Sequence, residues 1–349
     1  MHYVISKKGI PFLFIPQDRK RGLATIGLYP AQTLRARAVR TLIYAGVFCH
    51  IPFPRKALTQ EIDLAHIRWR GNRMPEITGE FGVLAGNPNA IGRRCIFLCF
   101  DRACKPLCIV KWGCGAAARS KISAEKRILW GNDVKRGGAP AILGYFETAD
   151  QSGIVLEYIA GRTPGRRVDQ EMLSRVLGQW VKNEPPTPLA EIPGWQRLPG
   201  DDRCERAAEQ RIVPVIYHGD FAPWNIIIDK TGVWRVLDWE RGEPVGVPGW
   251  DWFHYVVQVE CLVKRSRPRK VWRRLQETMA HPAFQAYAEQ TRIKGIEPMI
   301  LRGYCHHALE LLRENRGGKD RERTERVLRW LLAEKIGKSE PQMNTDGHR

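Results

Sequence analysis

Acidic side chains and long apolar runs are scarce in this chain. It carries 37 Asp and Glu against 56 Lys and Arg, which gives a formal net charge of +19 at pH 7. This excess predicts attraction to polyanions or anionic head groups. The basic residues are spread along the chain without a nucleic-acid-binding motif, so we expect no specific nucleic acid partner. No apolar run approaches the roughly 20 residues that span a bilayer, which argues against a transmembrane helix.

Two further signals are absent. None of the nine cysteines forms a Cys-x-x-Cys pair, the spacing typical of zinc sites. Nothing at the N-terminus reads as a signal peptide. We therefore expect reduced, buried thiols in a cytoplasmic protein, including the cysteine-rich stretch 95–114. With 349 residues and 43% hydrophobic content, the chain can bury a large core.

The chain does contain a polar motif with a defined spacing. His-Gly-Asp-Phe-Ala-Pro-Trp-Asn occupies 218–225, and Asp-Trp-Glu follows at 238–240 after short apolar stretches. One carboxylate can orient an acceptor hydroxyl and take its proton, while an amide oxygen and a second carboxylate can hold Mg²⁺ against phosphates. These are the residue types that phosphoryl transfer from a nucleoside triphosphate requires.

The motif resembles the aminoglycoside phosphotransferase and choline kinase family of small-molecule kinases. The resemblance covers 81–257. It implies an α+β, two-lobed protein-kinase-like fold, with a small antiparallel sheet in the N-lobe and a mostly helical C-lobe. It also implies that Asp220 is the catalytic base, that His218 supports the catalytic loop, and that Asn225 and Asp238 hold Mg²⁺. Gly219 stands where protein kinases usually have Arg, which favours a small-molecule acceptor.

The same resemblance requires a glycine-containing hairpin, a strand with a Lys and a helix with a Glu upstream of the motif. Strands are predicted at 81–85, 93–100 and 107–111, where apolar runs alternate with turn signals. Lys111 ends the third run, and the resemblance implies that it reaches the α- and β-phosphates. Glu125 lies in the helix-forming stretch 120–130 and is expected to pair with Lys111.

The resemblance also implies a nucleotide loop and a hinge. The loop residues whose backbone amides are expected to cover the phosphates are Gly86, Asn89 and Gly92. Pro88 departs from the protein-kinase pattern and removes one backbone donor. ATP is the default nucleotide for this family, and the departure at Pro88 leaves GTP open. The apolar run at 154–161 predicts a strand that leads into the hinge, where the backbone of Glu157 and Ile159 is expected to meet the purine.

The predicted organisation has four parts. They are a basic N-terminal extension at 1–80, the N-lobe at 81–160, the C-lobe at 161–335 and a disordered tail at 336–349. Within the extension, Ala31–Phe48 predicts a basic amphipathic helix. Two interpretations stay open: peripheral contact with an anionic membrane at its inner face, or packing on the kinase lobe with solvated arginines. The resemblance implies that Asp251 anchors the catalytic loop by accepting backbone hydrogen bonds, and Asp251 is also expected to cap a C-lobe helix.

The sequence therefore predicts a small-molecule kinase that moves the γ-phosphate of ATP to a hydroxyl of a sugar, a sugar-linked lipid or a similar metabolite. Strong positive charge favours a neutral or anionic acceptor, although Glu240, Glu243 and Glu260 could form a local acidic wall for a cationic one. The motifs also resemble phosphotransferase-like proteins of bacterial surface-polysaccharide clusters. A catalytically weak kinase-like scaffold, or an aminoglycoside- or choline-type kinase, is the alternative.

Overall fold

The computed structural model shows an α+β chain, as predicted. It describes residues 1–7, 9–29, 31, 34–58, 66–70, 76–86, 92–131, 138–198, 207–314 and 318–336. The chain forms two compact units, of which the first comprises Met1–Arg167 with His218–Pro244, and the second comprises Val168–Tyr217 with the residues from Val245 onward. No helix in the described ranges is long and apolar enough to cross a membrane.

The first unit is built on one antiparallel sheet. Its nine strands in the described ranges are β1 (His2–Lys7), β2 (Ile10–Pro16), β3 (Arg55–Lys56), β4 (Arg68–Trp69), β5 (Phe81–Ala85), β6 (Arg93–Phe100), β7 (Pro106–Cys114), β8 (Ile142–Glu147) and β9 (Gln151–Glu157). Their order across the sheet is β3-β1-β2-β5-β6-β7-β9-β8-β4. The central strands carry several β-branched and aromatic residues, which suit a pleated surface with apolar packing.

Each face of the sheet has its own apolar core. Val83, Phe97 and Val110 are fully buried on one face, and their burial contributes roughly 1.5–3 kcal/mol each. Leu13 and Ile15 are fully buried in a second cluster. Helices α1 (Arg19–Thr25), α2 (Leu34–Phe48) and α3 (Ala116–Trp130), a single turn at Ile26–Leu28, another at Pro223–Asn225 and a hairpin of Ile226–Ile228 with Trp234–Val236 complete this unit.

Strands β1 to β4, which lie among the first 80 residues, belong to this sheet. β2 pairs with β5, with Leu13 opposite Leu84. The predicted helix forms as α2 and packs through Ile43 and Val47 onto the second apolar cluster. Sequence reasoning missed the two initial strands because their apolar residues carry no motif. Residues 337–349 of the predicted tail lie outside the described ranges.

The second unit is mainly helical. Its helices in the described ranges are α4 (Gln170–Gly178), α5 (Pro193–Gln196), α6 (Trp250–Gln258), α7 (Pro268–Met279), α8 (Pro282–Gln290), α9 (Glu297–Glu314) and α10 (Lys319–Leu331), with π-helical turns at Val259–Val263 and Leu332–Ile336 and a 3₁₀ turn at Leu189–Glu191. Short strands lie at Thr187–Pro188, Arg211–Ile212 and Val215–Tyr217, and a further one, Glu243–Gly246, lies where the chain passes between units. Trp250 stacks on His307 with ring centroids 4.5 Å apart.

The capping prediction for Asp251 was wrong. The residue at the N-cap of α6 is Gly249, which adopts a left-handed φ of 86°. Asp251 lies inside the first turn, where a carboxylate still interacts favourably with the positive end of the helix dipole. Glycine satisfies the left-handed backbone that this entry turn requires, and a sequence pattern alone does not reveal that geometry.

Candidate active site

A lysine whose side chain is only 13% exposed contacts two carboxylates in the first unit. Lys111 lies in β7, and its Nζ is 2.7 and 2.8 Å from the two carboxylate oxygens of Glu125 on α3. The same Nζ is 2.7 Å from Oδ1 of Asp238. The side chain of Glu125 is only 2% exposed, so its charge requires a partner of this kind. One ammonium group therefore holds a strand, a helix and the Asp-Trp-Glu segment together.

The position of Lys111 differs slightly from the prediction. β7 continues to Cys114, so Lys111 lies within the strand and not at its end. The strand extends because its partner β6 pairs with it as far as Arg93. α3 likewise begins at Ala116, ahead of the predicted 120, directly after Gly115 with its φ of 85°. Because of both extensions, Lys111 and Glu125 each lie inside a regular element and not at its end.

These three charges shift one another's pKa values. Burial opposes the charge of Lys111, but Asp238 and Glu125 outweigh it and raise the pKa of Lys111 above its usual range. Burial also raises the pKa of Glu125, and the ammonium does not fully offset it. Burial disfavours the charge of Asp238 too, but its side chain is 39% exposed and the nearby Lys111 lowers its pKa. Asp238 is therefore ionised at neutral pH and partly accessible.

The backbone turns sharply at Asp238. Its φ is 67°, in the left-handed region that Asp tolerates better than most residues. The next residue, Trp239, donates its backbone N–H to Oε1 of Glu125 at 3.2 Å. Its indole N–H donates to the Val236 carbonyl at 2.9 Å, and the ring is fully buried. The turn thus gives Asp238 a fixed place beside Lys111.

Asp220 and Asn225 contact each other directly. The Asn225 amide nitrogen donates to the Asp220 carbonyl at 2.9 Å and to its Oδ2 at 3.0 Å. Since the nitrogen is engaged toward Asp220, the amide oxygen is the atom of Asn225 that suits a cation. The hydrogen bond to Oδ2 also fixes the rotamer of the Asp220 carboxylate.

His218 connects the two halves of the motif. Its Nε2 is 2.9 Å from the carbonyl of Leu237, the residue before Asp238, and its Nδ1 accepts from the Asp220 N–H at 3.2 Å. The ring is fully buried and lies against Trp239 at 4.6 Å. Such a position suits a support for the loop better than direct contact with a reactant.

Gly219 is required by two separate constraints. Its φ is 80°, a conformation that glycine adopts readily. A β-carbon at this position would lie 2.7 Å from the carbonyl oxygen of Arg241 and 2.8 Å from its Cβ. The chain passes closely here because the loop 218–225 and the segment after Asp-Trp-Glu run side by side. An Arg at this position, as in protein kinases, would not fit.

Glu240 contacts two cations that sequence reasoning did not assign to it. It forms an ion pair with Arg94 of β6, and its Oε1 is 3.0 Å from Nζ of Lys121 on α3. Its side chain is 17% exposed. The two cations therefore neutralise the carboxylate that was predicted as part of an acidic wall. No local signal in the sequence links these three residues, since they lie on separate elements.

The predicted nucleotide loop is described only at its ends. The Gly86 N–H donates to the Arg94 carbonyl at 2.7 Å and closes the base of the β5–β6 hairpin. Gly92 has a φ of 81°, and a β-carbon there would lie 2.9 Å from Cβ of Ala118 in the first turn of α3. The loop therefore ends directly against that helix. Asn89 lies outside the described residues.

The predicted hinge lies after the end of β9. Glu157 is the last residue of β9, and its carboxylate pairs with the guanidinium of Arg235. Ile159 is 8% exposed. Farther on, Arg162 exchanges two main-chain hydrogen bonds with Ile228, of 3.0 and 2.7 Å. The side chain of Glu157 is thus engaged, and the role expected of this segment depends on its backbone.

The oxygen atoms that Asp238 and Asn225 offer suit Mg²⁺ better than they suit a metal ion held by protein side chains alone. Within the described ranges, no three His, Cys, Asp or Glu side chains are grouped so that they could hold a metal ion. Mg²⁺ commonly takes one or two protein oxygens and completes its shell with phosphates and water. The ionised carboxylate of Asp238 and the amide oxygen of Asn225 are oxygen donors of that kind.

Comparison with known proteins returns small-molecule kinases. No protein-family model matches the chain, and no curated protein does. Among solved structures, it is similar to the bifunctional kinase-methyltransferase WbdD, at 17% identity over 67% of this chain and 47% of that one, with a TM-score of 0.32. A putative fructosamine-3-kinase from Haemophilus somnus 129PT is 14% identical over 73% and 92%, with a TM-score of 0.42. Choline kinase from Streptococcus pneumoniae is 16% identical over 74% and 94%, with a TM-score of 0.40.

These similar structures belong to the class that the sequence motifs resemble. The chain spans about half the length of the WbdD structure. Because the highest of these three TM-scores is 0.42, the residues of this chain must carry any conclusion about its function.

Proposed function

We propose that this chain is a phosphotransferase that moves the γ-phosphate of ATP to a hydroxyl group of a small molecule. The observation that carries the proposal is the hydrogen-bonded network that joins Lys111, Glu125 and Asp238 to the Asp220–Asn225 loop through His218. All five polar residues that phosphoryl transfer needs occur in one unit of the chain.

The ammonium of Lys111 has the role of neutralising phosphate charge. Its raised pKa keeps it protonated at neutral pH, and Glu125 holds it in place. Asp238 and Asn225 are the proposed ligands of Mg²⁺, which neutralises phosphate oxygens when bound. Lys111 also contacts Asp238, so its charge stabilises the ionised carboxylate that a cation requires.

Asp220 is the proposed base. It accepts the proton of the acceptor hydroxyl and orients that oxygen toward the phosphorus atom. The Asn225 amide fixes one oxygen of this carboxylate, and His218 accepts the backbone N–H of the same residue. These contacts reduce the freedom of the base, and positioning of this kind accounts for much of the catalysis in phosphoryl transfer.

The acceptor is proposed to be neutral or anionic, such as a sugar or a sugar-linked lipid. Two of the three residues that could form an acidic wall are already paired with cations. Glu240 contacts Arg94 and Lys121, while Glu260 is fully buried and lies 2.6 Å from Nζ of Lys264. Together with the net charge of +19, these pairs leave little support for a polycationic acceptor.

The proposal is tested by measuring nucleotide turnover with Mg²⁺ and either ATP or GTP. The acceptors offered are free sugars, nucleotide sugars, sugar-linked lipids, choline and kanamycin-type aminoglycosides. We expect acceptor-dependent formation of the nucleoside diphosphate, and its loss in Asp220→Asn. Nucleotide binding without turnover of any acceptor would instead favour the kinase-like scaffold.

A further inference from the structure

The N-terminal part of the chain has an unusual charge pattern. Residues 19–60 contain eight Lys and Arg and no Asp or Glu. Of these cations, Arg19, Lys20 and Arg40 are exposed on or near helices α1 and α2, and Arg55 and Lys56 are exposed on β3. These exposed cations therefore lie on α1, α2 and the edge strand β3 of the sheet of the first unit.

Helix α2 has two apolar faces. Its inner face contributes Ile43 and Val47 to the core. Away from that core, Leu42 is 71% exposed, Tyr44 is 47% exposed and Phe48 is 48% exposed. Helix α2 can therefore pack on the sheet through its inner face while its outer face contacts a partner outside the unit. The apolar side chains of the outer face are not part of the apolar cluster that the inner face joins.

The apolar and basic groups lie next to one another. The guanidinium of Arg19 stacks over the Phe48 ring, with its carbon 3.9 Å from the ring centroid. Ile51, just after the helix, is 54% exposed. We call the outer residues Arg19, Lys20, Arg40, Leu42, Tyr44, Phe48 and Ile51 the α2 surface. It combines protruding apolar side chains with cations, and the acidic residue nearest to it in the sequence, Asp18, accepts the Arg21 N–H at the start of α1.

We infer that the α2 surface docks onto the surface of an anionic lipid bilayer. Leu42, Phe48 and Ile51 enter the boundary between head groups and acyl chains, while the cations contact anionic head groups. Aromatic and aliphatic side chains inserted between cations suit this boundary, because one side of it is apolar and the other is charged.

Other occupants fit the α2 surface less well. A second copy of the chain would oppose two surfaces that are both positively charged, and the like charges would repel. A nucleic acid would satisfy the cations but would leave Leu42 and Ile51 in water. The inference is independent of the proposed kinase activity, since none of these residues belongs to the candidate active site.

The test is sedimentation of the full chain with vesicles. Vesicles of phosphatidylcholine alone are compared with vesicles that also contain phosphatidylglycerol, at low and high salt. We expect binding only to the anionic vesicles, with a steep fall as salt rises. Two variants probe the α2 surface: Arg19→Glu with Arg40→Glu, and Leu42→Ser with Phe48→Ser. Each is expected to weaken binding about tenfold or more.

Matched controls lie on a turn in the same unit. Lys230 and Val233 are both exposed, so Lys230→Glu and Val233→Ser repeat the same kinds of change away from the α2 surface. These controls should bind anionic vesicles as the parent does, and circular dichroism should show all variants folded. Equal binding by the α2 variants and the controls, or no binding to anionic vesicles, would overturn the inference. So would loss of self-association or of nucleic acid binding in the α2 variants without any change in vesicle binding.

Discussion

Asp220 has the most specific role of any single residue proposed here. Its carboxylate accepts one hydrogen bond from Asn225 and is oriented by it. In Asp220→Asn the side chain keeps its size but loses the ability to take a proton, so kcat should fall about 10²-fold or more while nucleotide affinity changes little. The measurement is steady-state kinetics together with calorimetry of nucleotide binding.

Asp229 provides the matched control for this prediction. It lies in an exposed turn, where its Oδ1 accepts hydrogen bonds from Thr231 and Val233. Asp229→Asn should leave kcat unchanged. If Asp220→Asn also turned over at the parental rate, Asp220 would not be the base.

Lys111 supplies one positive charge to two carboxylates. Lys111→Met removes that charge and leaves Glu125 and Asp238 close together without a cation. Breaking a buried ion pair from one side should lower the free energy of unfolding by about 3 kcal/mol. Lys126→Met on α3 is the control, because its ion pair with Glu147 is more exposed and should contribute less than about 1 kcal/mol. Urea unfolding measures the loss of unfolding free energy in each variant. Equal losses in Lys111→Met and Lys126→Met would contradict the prediction that the less exposed ion pair contributes more stability.

The lowered pKa of Asp238 predicts how its contribution depends on pH. In the folded chain the carboxyl titrates below its unfolded value, so the stability that it contributes is present above about pH 4 and is lost as pH falls further. Asp238→Asn cannot titrate. The difference in unfolding free energy between the parent and this variant should therefore shrink from neutral pH toward about pH 3. A difference that stayed constant or grew on acidification would show that the folded-state pKa is not lowered.

At the scale of elements, the loop 218–225 depends on the space beside Gly219. Gly219→Ala imposes both the strain of a φ of 80° and a close contact with Arg241. Gly232→Ala imposes a similar φ of 82° in a turn where nothing lies within 4 Å of the new carbon. The control should cost about 1 kcal/mol, and Gly219→Ala distinctly more. Equal unfolding free energies for the two variants would mean that the loop can move away from Arg241.

Some secondary-structure elements and contacts could be predicted from the sequence, and others could not. The strands at 81–85 and 93–100 were predicted with their observed bounds, because turn residues mark their ends. Lys111 and Glu125 could be paired from the resemblance, and the structure brings them together. The partners of Glu240 could not be predicted, since Arg94 and Lys121 reach it from other elements only after folding. The roles proposed for Glu157 and Ile159 stay predictions, because they concern the backbone.

At the scale of the whole molecule, net charge bears on the choice of acceptor. With a charge of +19, the chain should repel polycations at low ionic strength. We expect kanamycin-type aminoglycosides to compete poorly with neutral or anionic sugars when all are offered to one enzyme sample with Mg-ATP. Product analysis by mass spectrometry gives the outcome. Efficient phosphorylation of the aminoglycosides alone would contradict the acceptor class and leave the kinase proposal standing.

The pairing of β2 with β5 has a practical consequence for any shortened form of the protein. The motifs begin near Phe81, so a fragment cut there would retain every proposed active-site residue. It would also lose β2, which covers the main-chain groups of β5 at Val83 and Leu84. A bare strand edge of this kind recruits other chains, so the fragment should aggregate even though its proposed active-site residues are complete.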